Sequence, residues 1–201
     1  MAIVKALLLL GAVSSHVFAI EAPIPGYDVE TLDWNVRLDP RDAPITLSGT
    51  VEEVTSKAKK LNPRWARDMA KRKPARDDEA HLQARDWAYR VDCVDGKRWK
   101  KAMLSSVQEG LDYLSKLKAK PKIGPGPGKC SRVSCSYAAA IWWCNDKSTD
   151  LELDSFWEIF SSATSIIDQC TDYGAPFSWV GGQAFMPDNW NVIIREDTDH
   201  C

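Results

Sequence analysis

Six residues of this chain have a wide choice of chemistry: Cys93, Cys130, Cys135, Cys144, Cys170 and Cys201. A cysteine sulfur can ligate zinc, act as a nucleophile or pair with a second thiol. Zinc sites favour closely spaced ligand pairs, but Cys130, Cys135 and Cys144 follow a C-x4-C-x8-C pattern with no C-x2-C knuckle, and only His81 and His200 lie in this half. No metal is expected. A nucleophile needs a base beside it, yet His81 falls in a polar stretch and His200 at the far C-terminal side. Glu152, Asp154, Glu158 and Asp168 could supply a carboxylate pair, but they fit the acidic start and solvent face of a helix. No catalytic constellation and no cofactor follow from these residues. Pairing is what remains, and an even set of six cysteines predicts three disulfides wherever the chain meets an oxidising compartment.

The second chemical feature is the tandem Trp142-Trp143 inside KCSRVSCSYAAAIWWCND. Val133, Tyr137, Ile141 and the two tryptophans favour strands, so the stretch reads as a disulfide-bearing hairpin turning near Ala138–Ala140. Successive strand residues point to opposite faces, and one tryptophan must therefore face away from the helices. Cys144 shares the face of Trp142. If that cysteine bonds toward a core-facing helix end, Trp142 belongs to the core, and Trp143 with Ile141 falls on the outer face as a candidate partner anchor. A covering by the helix of the N-terminal segment or by the C-terminal tail is the alternative. Cys170, at a helix end, is expected to reach a sheet cysteine, with Cys201 anchoring the C-terminal tail.

The elements that position these residues are read from periodicity. Residues 1–19 have Lys5, an apolar run Ala6–Val13 and Val17-Phe18-Ala19, the pattern of a secretory signal peptide cut after Ala19. No segment approaches the ~20 apolar residues of a membrane span. Residues 20–72 hold no cysteine and balanced charge, nine basic against nine acidic. Prolines 23, 25, 40 and 44 keep their first half extended, and Val51, Val54, Ala58 and Leu61 recur at helical spacing, with a Thr50–Glu53 capping box and Pro63 as the stop. Lys71-Arg72-Lys73 is then a dibasic site of the kind that secretory processing proteases cut. The segment is either a removable pro-region or an arm lying on the core. A polar linker, 73–85, follows.

The cysteine-rich domain, 86–201, begins with a strand, DWAYRVDC, ending at Cys93. Trp99, Met103, Val107, Leu111 and Leu114 predict an amphipathic helix over Lys97–Lys120. Its lysines cluster at the ends, and from Lys73 onward 16 basic residues face 19 acidic ones, which does not suit a nucleic-acid binder. Pro125 and Pro127 deprive IGPGPGK of phosphate-binding N–H donors. After the hairpin, Asp154–Cys170 reads as a helix with Ser155 and Glu158 as its capping box, followed by two strands in PFSWVGGQAF and NWNVIIRE. Gly181-Gly182 marks a bulge or close approach. The order predicts an α+β fold, an antiparallel sheet with two helices on one face in the split β-α-β-β-α-β plan, stabilised by disulfides.

The hairpin KCSRVSCSYAAAIWWCND, the cysteine-ended helix and the closing GGQAF...NWNVIIRED...C resemble fungal small secreted cysteine-rich proteins, including candidate plant-pathogen effectors. The element order also resembles, more weakly, the α/β sandwich of killer-toxin-like effectors. These resemblances imply a secreted, extracellular virulence protein, monomeric and acting on a host protein or surface target, with action inside host cells after translocation left open. They transfer no catalytic motif, so no enzyme activity is expected. A toxin or small hydrolase directed at competing microbes or host polymers is the alternative. Neither nucleic acid nor membrane is expected as a partner.

Overall fold

A computed structural model describes residues 20–73, 88–117, 119–199 and 201. The expected signal peptide, Trp87, His81, His200 and nearly all of the expected linker lie outside these residues. In chain order the elements begin with β1 (Asp28–Val29), the hairpin β2 (Asp33–Val36) and β3 (Ile45–Ser48), and helices α1 (Val51–Leu61) and α2 (Pro63–Lys71). Then come β4 (Arg90–Cys93), β5 (Ala102–Met103), α3 (Leu104–Ser115), β6 (Lys122–Ile123), the hairpin β7 (Lys129–Ser136) and β8 (Ala139–Asn145), and β9 (Leu151–Glu152). Last are α4 (Phe156–Cys170), β10 (Thr171–Asp172), β11 (Trp179–Val180), β12 (Gly182–Met186) and β13 (Trp190–Glu196).

Six strands form the main sheet in the order β1-β7-β8-β13-β12-β4, antiparallel throughout except for the parallel pair β1–β7. On one face α3 packs against β7 and β8, while α4 packs against β12, β13 and β4. The fold is α+β and disulfide-bonded. The first strand of the cysteine-rich part, β4, sits at the sheet edge beside β12 and not between two antiparallel neighbours as the split plan would place it.

Residues 20–72 do not stand apart. Thr50 and Glu53 form the expected reciprocal capping box of α1, and Pro63 both ends that helix and opens α2 at its first turn, where its missing N–H is harmless. Leu32, Trp34, Val54 and Trp65 enter the same core cluster as Val107, Val133 and Ile159. The Trp34 ring stacks on Phe156 at 4.4 Å, and its indole N–H donates to the Gly49 carbonyl at 2.7 Å. The segment thus completes one core instead of forming a separate unit.

The helix expected over Lys97–Lys120 is shorter, because it starts at Leu104. Trp99 packs on the opposite face of the sheet from α3, so one helix could not hold both Trp99 and Leu111 in contact with their partners. On α4 the Ser155 side chain makes no capping bond, and the Glu158 carboxylate instead accepts the Asp154 N–H at 2.7 Å. Gly182 is a close approach. A Cβ there would lie 2.9 Å from both the Asp92 carbonyl oxygen and Ile166, which is how near α4 comes to the sheet where Cys93 and Cys170 join.

Candidate functional site

The disulfides decide which face of the hairpin is which. Cys130 and Cys144 are directly opposed across β7 and β8 and bond to each other, with Cα atoms 4.0 Å apart. Cys170 bonds to the strand residue Cys93, and Cys201 bonds to Cys135 at the end of β7. Cys130 and Cys144 pack with Ala140 and Ile193 on the face away from α3 and α4, so Cys144 is tied within the sheet and not to a helix end. Trp142 shares that outer face, whereas Trp143 and Ile141 lie in the core under the helices. The assignment of Trp143 and Ile141 as an exposed partner anchor is therefore corrected: Trp143 is 0 % exposed and Ile141 1 %. Trp142 is equally buried, since Ala22, Ile24, Tyr27 and Trp99 cover the outer face.

Beneath that cover lies a polar network. Asp197 accepts the Trp142 indole N–H at 3.1 Å and the Arg195 guanidinium at 3.0 Å, and Arg132 stands 3.7 Å away. A second chain runs from Gln183 to Asn191 (3.0 Å), on to Asp146 (2.8 Å) and to the Tyr27 hydroxyl, which donates at 2.8 Å. Burial, then the bond to Asp146, pushes the Tyr27 hydroxyl up to about 12. Beside Gln183 a cleft of ≈ 220 Å³ is lined by Asp92, Asp95, Arg98 and Trp99. Its two carboxylates are already engaged: Asp92 pairs with Arg90 at 3.3 Å, and Asp95 accepts the Lys97 N–H at 3.0 Å. That backbone bond holds the Asp95 carboxyl below its usual range, so near neutrality it has no proton to donate.

The other acids expected from sequence do not converge on a reacting centre. Asp154 pairs with Lys120 at 3.0 Å, Glu152 is exposed on β9, and Asp168 is exposed near the opposite end of α4 from Glu158. Lys71 and Arg72 are exposed at the end of α2.

What the molecule does present is a group of aromatic side chains between α4 and β12. Tyr173 is 78 % exposed, Phe177 55 % and Trp179 43 %, all within one loop and the first residue of β11. Its frame is rigid. Cys170, bonded to Cys93, immediately precedes β10; β10 pairs with β11, and β11 with β5. Val180 is fully buried, so strand alternation turns its neighbour Trp179 outward. The Thr171 hydroxyl donates to the Ile167 carbonyl at 2.7 Å, and Lys101 pairs with Asp172 at 2.7 Å beneath the loop. Sequence reasoning absorbed Phe177 and Trp179 into a strand. The overlooked signal was three aromatics in seven residues interrupted by Gly174 and Pro176, too few apolar positions in alternation for a buried strand and too many for a solvated loop.

Another exposed aromatic, Tyr137 (73 % exposed), tops the β7–β8 hairpin, where Tyr137 and Ala138 both have positive φ, 47° and 57°. Ala138 N–H donates to the Cys201 carbonyl at 3.4 Å, and Asp197 N–H donates to the Ala138 carbonyl at 3.0 Å. Compared with protein-family models, curated proteins and solved structures, the chain matches none.

Proposed function

We propose that this protein is a secreted effector that acts by binding a host protein or surface target during infection, using Tyr173, Phe177 and Trp179 as its contact residues. The observation that carries the reading is the exposure of three large aromatic side chains on a loop held by a disulfide and two strand pairings. Such side chains bring large contact area at small cost in side-chain entropy, and a fixed frame limits what is lost on binding. The resemblance of the hairpin, the cysteine-ended helix and the closing strands to fungal small secreted cysteine-rich proteins supports the same reading. Three disulfides suit an oxidising compartment, and among the described residues no helix is long and apolar enough to cross a membrane.

The test is the triple variant Tyr173→Ala, Phe177→Ala, Trp179→Ala. Its unfolding midpoint should fall only modestly from that of the parent, because Tyr173 and Phe177 are mostly in water already and Trp179 is close to half exposed. Its infection phenotype, or its capture of host target, should fall at least about tenfold, since hot-spot aromatics contribute about 2 kcal/mol or more each. Unchanged activity with an unchanged midpoint removes the loop from the proposal. Degradation of RNA or glycan, or killing of competing microbes, by the purified protein would favour the toxin or hydrolase reading instead.

A further inference from the structure

All three disulfides join residues within 93–201, so below residue 93 the chain is tied to the rest by its backbone alone. Yet residues 20–72 touch both faces of the main sheet. On the helix face Trp34 stacks on Phe156, and the Glu52 carboxylate accepts the Ser134 hydroxyl at 2.5 Å and the Cys135 N–H at 3.0 Å. On the outer face the Pro23 carbonyl accepts the Trp99 indole N–H at 2.9 Å, and Tyr27 bonds to Asp146. Between the two faces, β1 extends the sheet beside β7. Contacts of this kind, shared core plus paired strands, characterise permanent interfaces.

The triplet Lys71-Arg72-Lys73 sits where α2 stops, and all three residues are exposed. Arg72 is already extended, with φ −66° and ψ 137°. Met69 is the last buried side chain of the helix, so Ala70–Lys73 can straighten into a protease cleft without drawing an apolar group out of the core.

We infer that the Arg72–Lys73 bond is a processing site whose cleavage leaves residues 20–72 docked, so that the processed molecule is a non-covalent pair of chains and not a core stripped of a pro-region. Hydrolysis takes up one water and yields a carboxylate at Arg72 and an amine at Lys73. Both new ends lie at the surface, where their charges stay solvated.

The experiment treats the folded, secreted protein with a dibasic-specific processing endoprotease. A denaturing gel without reductant should show two fragments, the larger beginning at Lys73, while gel filtration at ~1 μM returns one particle of unchanged size, as a permanent interface demands. The melting temperature of the cut protein should fall on dilution and that of the uncut protein should not, because only the former separates on unfolding. Arg72→Gln should stay uncut and melt like the parent. Release of the smaller fragment during gel filtration overturns the inference, as does a folded chain that resists the protease when the urea-unfolded chain is cut after Arg72. These results do not depend on the aromatic loop, so they stand or fall apart from the proposed function.

Discussion

Trp142 and Trp143 are neighbours with equal burial and unequal surroundings. The Trp142 N–H is bonded to Asp197, whereas the Trp143 N–H is buried without a partner. Replacing either by alanine should cost about 3 to 5 kcal/mol, since both leave a large cavity. Phenylalanine separates them. Trp142→Phe removes a hydrogen bond to a buried charge, whereas Trp143→Phe removes only an unsatisfied donor, so the first should be the more destabilising by about 1 to 2 kcal/mol in urea unfolding. Strand alternation made it legible that the pair would face opposite ways. The face of each was not legible, because it depended on the partner of Cys144, and a sequence leaves disulfide pairing open. Tyr27 offers a pH prediction at the same scale. Its folded pKa, about 12, stands above the ordinary tyrosine value of 10.0, so its contribution to stability is whole below pH 10 and fades as pH climbs toward 12. The melting temperature of the parent should therefore drop more steeply over that range than that of Tyr27→Phe, and parallel curves would show that Tyr27 ionises freely.

Among the elements, those with strong local signals came through. The capping box and Pro63 placed the boundary of α1, and the apolar face of α4 was readable along its length, because in both cases adjacent residues carry the information. The start of α3 was not readable. Trp99 keeps helical spacing with Met103 yet packs on the far side of the sheet, a tertiary choice that no window of sequence contains. The hairpin turn also falls one step before its expected centre, on Tyr137-Ala138, two residues that disfavour left-handed backbone. Replacing the pair by Asn-Gly, which this turn geometry favours, should raise stability by about 1 to 2 kcal/mol in urea unfolding. An unchanged midpoint would mean that the turn stores no strain.

For the whole molecule, the sequence left residues 20–72 as either a removable pro-region or an arm lying on the core, and the structure packs them into that core. A cysteine-free, charge-balanced segment ending in basic residues looked detachable, but composition cannot show which distant surface an apolar face will cover. The aromatic loop was hidden in a similar way, since exposure is a property of the assembled fold. Burial explains β8 as well: Ala139–Asn145 is covered on both faces, so it shows none of the alternation of a half-solvated strand. The arm has a further consequence at the sheet's edge. β4 closes one side with the charged residues Arg90 and Asp92, whereas the opposite side would end in the eight residues of β7. There Asp28 N–H donates to the Gly128 carbonyl, Glu30 N–H to the Cys130 carbonyl, and Glu52 takes the Cys135 N–H. Without these bonds β7 would offer its open hydrogen-bonding groups to any extended chain nearby, another copy of itself included. Residues 20–72 therefore cap the β7 edge of the sheet and close it to pairing with a further strand.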